Sequence, residues 1–155
     1  MDGIALSTAG ITLGYAIETV AGTRPTTGYI IIPDLQSVPD FDPAPNNIDV
    51  TTLAETEYMQ YIPGLKDPGG AMSFGFRNTE LLQTEWRTLV DDAETGRLAG
   101  FETWFEVKVP ELSNSFWFSG EPSNLGLAAA SVNSALTING NITASKIVGW
   151  GAKST

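Results

Sequence analysis

Residues 48–97 read IDVTTLAETEYMQYIPGLKDPGGAMSFGFRNTELLQTEWRTLVDDAETGR, and this stretch decides the fold because it contains a long irregular segment, a strand and the chain's one convincing helix. Leu81, Leu82, Trp86, Leu89, Val90 and Ala93 recur at spacings of three and four, which places them on one stripe of a helix. Glu80, Glu85, Arg87, Asp91, Asp92 and Glu94 occupy the opposite face. Asn78 reads as the N-cap, Glu80 complements the exposed amides of the first turn, and Gly96 before Arg97 reads as a left-handed stop. The spacing therefore predicts a helix of about four turns over 79–95. Leu82, Trp86, Leu89 and Val90 are its expected core side chains.

Upstream of the helix, Ala71 to Phe76 alternates with Met72, Phe74 and Phe76 on one face, a strand leading into the helix. Residues 41–69 have no period and are broken by Pro43, Pro45, Gly64, Pro68 and Gly69. A loop of that length far exceeds the ~4 to 6 residues usual in compact domains, which assigns it a task or leaves it disordered. Residues 1–10 read as a flexible arm. Short strands are expected at 11–18, 29–32 and 35–38, separated by Gly and Pro clusters.

Beyond the helix, residues 101–109 alternate most cleanly. Phe101, Thr103, Phe105, Val107 and Val109 face one way, and Glu102, Trp104, Glu106 and Lys108 the other, so this strand is expected to be half buried and half charged. Residues 115–119 form an aromatic strand ended by the Gly120, Pro122, Ser123, Asn124 cluster; 125–130 is too Ala-rich to assign. Residues 132–143 alternate straight through Asn139-Gly140, which favours one long strand with a bulge there over a hairpin. Residues 147–150 are a final strand or tail. The sum is a mainly β chain: an antiparallel β-sandwich or partial barrel with one flanking helix.

Composition narrows function. At 155 residues the chain fits one domain spanning 1–155. It has neither cysteine nor histidine, which removes disulfides, thiolate and Cys/His zinc chemistry and every histidine-dependent triad; no catalytic residue, cofactor or metal is expected. Eighteen acids against eight bases give a formal charge of −10, which opposes a sequence-independent grip on nucleic acid. The N-terminal stretch lacks a basic n-region and no apolar run approaches the ~20 residues of a membrane span, so synthesis in the cytoplasm without membrane association is expected. Asp40, Asp42, Asn46 and Asn47 fail calcium-loop spacing, with Ala44 at the fifth position. Asp91, Asp92 and Glu94 lie on the solvated helix face. Trp104, on the charged side of its strand, is the aromatic expected to mark an interface or a sugar platform.

IDVTTL at 48–53, then YIPGLKDPGG at 61–70, then a short strand into a lone amphipathic helix, resembles the major tail tube proteins of long non-contractile-tailed bacteriophages. FETWFEVKV, an aromatic strand and SALTINGNI continue that family's element order across most of the chain. The resemblance implies a tail-tube fold, six copies in a ring, and stacked rings forming a hollow tube in the virion tail. DNA would pass through without sequence-specific binding, and tape-measure, tail-terminator and tail-tip proteins would be partners. Related tubes occur in contractile tails, pyocins, gene-transfer particles and type VI secretion. In that setting the 41–69 loop would bridge rings, with Tyr58, Tyr61 and Leu65 as anchors alongside Trp104 as a further interface candidate. Glu102 and Glu106 are candidates for a net negative lumen. The alternative is a carbohydrate-binding β-sandwich using Trp104, Trp117 or Trp150 as stacking platforms.

Overall fold

A computed structural model describes residues 10–40, 45–66, 71–126, 132 and 136–154. The expected arm at 1–9, the ends of the long loop at 41–44 and 67–69, and most of 125–130 lie outside the described residues. In chain order the elements are β1 (Thr12–Ile17), β2 (Ile30–Ile32), β3 (Leu35–Ser37), β4 (Pro45–Asp49), β5 (Tyr61–Lys66), β6 (Ala71–Arg77), α1 (Glu80–Leu98), β7 (Thr103–Lys108), β8 (Asn114–Pro122) and β9 (Thr137–Ala152).

Among the described residues seven strands form one antiparallel sheet in the order β2-β1-β7-β8-β9-β6-β3, while β4 and β5 pair only with each other. The two edge strands, β2 and β3, are consecutive in the chain with only Pro33 and Asp34 between them. Three extended residue steps reach about 11 Å at most, so the opposite edges of the sheet must come round to meet. The result is a nearly closed, barrel-like sheet, the partial-barrel form of the expected mainly β class with its single helix among the described residues.

The closing turn is tied down. Asp34 adopts a left-handed φ of 62°, its carbonyl accepts the Arg77 N–H at 2.9 Å, and its carboxylate accepts from the Arg77 guanidinium and the Thr79 hydroxyl. Thr79, rather than Asn78, caps α1: its Oγ1 accepts the Leu82 N–H at 3.2 Å. Asn78 is occupied elsewhere, its N–H on Leu136 O and its side chain on Gln83. One turn thus joins the barrel seam to the helix start.

The helix buries Leu82, Trp86, Leu89, Ala93 and Gly96, while Val90 is partly buried and Leu81 is 59% exposed. Gly96 does not stop the helix. A Cβ there would stand 2.8 Å from Ile17 Cγ2, so glycine lets α1 lie against the end of β1; the left-handed residue is Gly100, φ 85°, beyond the Ala99 cap. The helical stripe joins a core of Leu13, Tyr15, Phe74, Phe76, Phe105, Val107, Phe118 and Ile142. Within it Phe118 stacks on Phe105 at 5.1 Å and on Phe74 at 6.0 Å.

β9 runs unbroken through Asn139-Gly140, but the expected bulge is not there. Its ladder with β6 is regular from Thr137 to Thr143, and the register slips come later, against β8, between Ala144 and Lys146 and between Ile147 and Gly149. Gly140 is required by packing: a Cβ would lie 2.6 Å from Trp86 Cη2 and 2.8 Å from Phe76 Cε2. The aromatic strand β8 continues through Gly120 to Pro122 instead of ending at Ser119, because Gly120 lets it pass within contact of the β9 backbone at Thr143.

Candidate assembly surfaces

Residues expected to be loop at 45–66 instead form a paired arm. Asp49 pairs with Tyr61 and Ile48 with Ile62 across β4 and β5, and the tip is closed by Val50 N–H on Gln60 O at 2.9 Å and Gln60 N–H on Thr51 Oγ1 at 2.7 Å. Asp49 accepts from Thr51, and the Glu55 carboxylate accepts the N–H groups of Thr56 and Glu57. Those hydrogen bonds from Thr51 hold the Asp49 carboxyl below its ordinary pKa. Each of these bonds stays inside the arm.

The arm's side chains face solvent. Ile48, Val50, Leu53, Tyr58, Met59, Tyr61 and Ile62 are all exposed, Tyr58 at 74%. Leu65 lies in β5, with its side chain outside the described set. A two-stranded hairpin is marginal by itself in water. Tyr58 and Tyr61, the expected anchors, are both solvent-exposed on this hairpin.

The other nominated residues fall differently. Trp104 is not an exposed aromatic: it is 5% exposed, and its Nε1–H donates to Glu18 Oε2 at 2.9 Å. Glu106 is not a surface acid: it is 1% exposed, with its two oxygens accepting from the N–H and hydroxyl of Ser154 at 3.0 and 2.6 Å. Both faces of β7 are therefore buried, the second by the β1–β2 connection and the chain's last residues. Of the two nominated acids only Glu102 remains partly accessible, 3.6 Å from Lys146. Local alternation could not foresee this, because the covering groups come from 48 and 86 residues away.

Glu18, unflagged by any local pattern, organises that second layer. It is 3% exposed and accepts from the Glu102 N–H, the Trp104 indole and the Gly22 N–H. Burial pushes its pKa up, but these donors, with help from Lys146, outweigh burial and hold it below the ordinary value. Trp117, opposite Glu106 in the β7–β8 ladder, is 1% exposed, with Tyr29 edge-on at 5.2 Å and the Arg24 guanidinium 4.3 Å over its ring. Of the three proposed sugar platforms, Trp104 and Trp117 are thus buried and only Trp150 is open, at 56%.

A second accessible feature is the far half of β9. Its first half, Thr137 to Thr143, has β6 on one side; beyond Thr143 the ladder continues with β8 alone, and Val148 and Trp150 are exposed there. Among the described residues no cluster of three or more Asp, Glu, His or Cys is placed to hold a metal ion, and no helix is long and apolar enough to cross a membrane.

No protein-family model matches the sequence, and no curated protein matches it. Among solved structures, the chain is similar to a chain of the anti-feeding prophage baseplate, determined by electron cryomicroscopy and six-fold symmetrised. The TM-score is 0.62 at 10% sequence identity, over 97% of this chain and 98% of that one, so the two share a fold along nearly their whole lengths.

Proposed function

We propose that this protein is a non-catalytic structural subunit of a phage-tail-type particle, and that it assembles as hexameric rings stacked into the hollow tail tube through which DNA is delivered. The observation that carries the reading is the end-to-end likeness of fold to a chain of the six-fold symmetrised anti-feeding prophage baseplate. The apolar arm supports it: a subunit that projects exposed Ile, Tyr and Met side chains on a two-stranded hairpin is suited to a neighbour's surface. The acid excess supports a conduit that DNA slides through without sticking. In such a tube Glu102 is the candidate for the lumen, Glu106 being enclosed, and tape-measure, terminator and tail-tip proteins meet the tube at its bore and ends.

Electron microscopy of concentrated purified protein tests the proposal. Stacked rings of six are expected. A monodisperse monomer at every concentration, one that also binds on a glycan array, would overturn it in favour of the sugar-binding alternative.

A further inference from the structure

The arm needs a receiving surface, and the arm and the far half of β9 are matched in three respects. The first is main-chain hydrogen bonding. Residues 144–152 of β9 have β8 on one side and, among the described residues, no strand on the other, leaving an edge of roughly 30 Å. Among the described residues the arm pairs only within itself and likewise has unpaired outer edges on β4 and β5.

The second is apolar surface. Ile48, Val50, Tyr61 and Ile62 on the arm and Val148 and Trp150 on β9 are each between 43% and 56% exposed, although all lie in or beside strands. Trp150 is already held edge-on by Phe116 at 5.5 Å, which presents a fixed aromatic face at little further loss of rotamer freedom.

The third is charge. The arm carries Asp49, Glu55 and Glu57 against Lys66 alone, whereas residues 137–154 contain Lys146 and Lys153 and no acid, in a chain whose formal charge is −10. Of the chain's eight basic residues, Lys146 lies on β9, 3.6 Å from Glu102, and Lys153 lies just beyond the strand's end. Like-charged surfaces would repel, so this distribution favours arm against β9 over arm against arm.

We infer that the arm of one copy docks by strand addition along residues 144–152 of β9 in a second copy. The contact is heterologous, with different patches on the two partners, so it propagates from subunit to subunit and closes only when the rotation permits, as a ring requires. This inference rests on the self-assembly proposed above and names the surface that receives the arm.

The absence of cysteine from the sequence makes a clean test possible. Two single-cysteine chains, Tyr61→Cys and Val148→Cys, both at exposed positions, are mixed under mild oxidation and run on non-reducing gels. Asn141→Cys, exposed on the half of β9 that β6 already edges, replaces Val148→Cys in the control. Melting curves matching the parent establish that each variant is folded. The expected result is a mixed disulfide between Tyr61→Cys and Val148→Cys chains, formed at least tenfold faster than with the Asn141→Cys control. Equal rates for the two mixtures, or disulfides only between two Tyr61→Cys chains, would overturn it. So would a Tyr61→Cys/Val148→Cys double variant that closes within one chain while the mixture stays unlinked. Electron micrographs of the same samples separate the two proposals: rings without the Tyr61–Val148 link refute the docking site alone, and single subunits throughout refute assembly as well.

Discussion

Gly140→Ala adds one methyl group at the point where α1 meets the sheet. The new Cβ would lie 2.6 Å from Trp86 Cη2, 2.9 Å from Trp86 Cζ3 and 2.8 Å from Phe76 Cε2. All three atoms belong to rigid rings. Trp86 is 1% exposed, meets Phe76 edge-to-face at 5.5 Å, and its Nε1–H donates to Ser123 O at 2.7 Å, so it cannot retreat without disturbing one of these contacts. Overpacking of this kind costs about 1–3 kcal/mol, and a strained indole hydrogen bond adds up to about 1 kcal/mol. Replacing glycine stabilises by about 0.4–1 kcal/mol through the unfolded chain, which leaves a net destabilisation of about 1–3 kcal/mol. With urea slopes of about 1–3 kcal/mol per molar, the unfolding midpoint should fall by roughly 1 M. Tryptophan fluorescence follows the transition. Trp86→Phe removes the two indole carbons nearest the new methyl, so Gly140→Ala should cost at least about 0.5 kcal/mol less in that background. Gly126→Ala, with nothing within 4 Å among the described residues, is the control and should be nearly neutral. A neutral Gly140→Ala, or full additivity with Trp86→Phe, would refute the packing argument.

Trp86→Ala should cost about 3–5 kcal/mol and abolish soluble expression, since it empties the centre of the core and leaves Ser123 O without its indole donor; a thermal melt of any soluble product checks this. Replacing residues 51–60 by a short turn should leave the melting temperature nearly unchanged, because the described arm bonds are internal, while abolishing rings in micrographs. Amide exchange across 49–66 should be fast in free subunits and slow in assembled ones; equal protection in both would remove the arm from the interface. Glu18→Gln should cost about 1.5–3 kcal/mol at neutral pH. Because Glu18 is depressed when folded, its stabilisation is complete above the unfolded value near 4.5 and is lost as pH falls through the lower folded value. Urea midpoints measured from roughly pH 6 to 3 should therefore drop less steeply in Glu18→Gln than in the parent.

What the sequence determined by itself is what periodicity and composition encode. Three- and four-residue spacing located α1 to within a few residues, and alternation located β1, β6 and the run of β9 through Asn139-Gly140. Both are local signals, because a helix or strand repeats its face within its own length. Tertiary structure decided which strand lies beside which, and several side chains changed role as a result. Pro33 and Asp34 look like an ordinary turn until the edges they join prove to be the two ends of one sheet. Gly96 and Gly140 read as a stop and a bulge, but each is set by a ring or methyl from another element that leaves no room for a Cβ. Trp104 and Glu106 carry the pattern of an exposed face, and Glu18 and Ser154 bury them from far along the chain. The arm was legible as a segment without a home in the core, since its apolar residues are too dispersed to offset an ordering cost of about 1–2 kcal/mol per residue. Its strand pairing was not legible, because register depends on backbone partners that no spacing within 45–66 reveals.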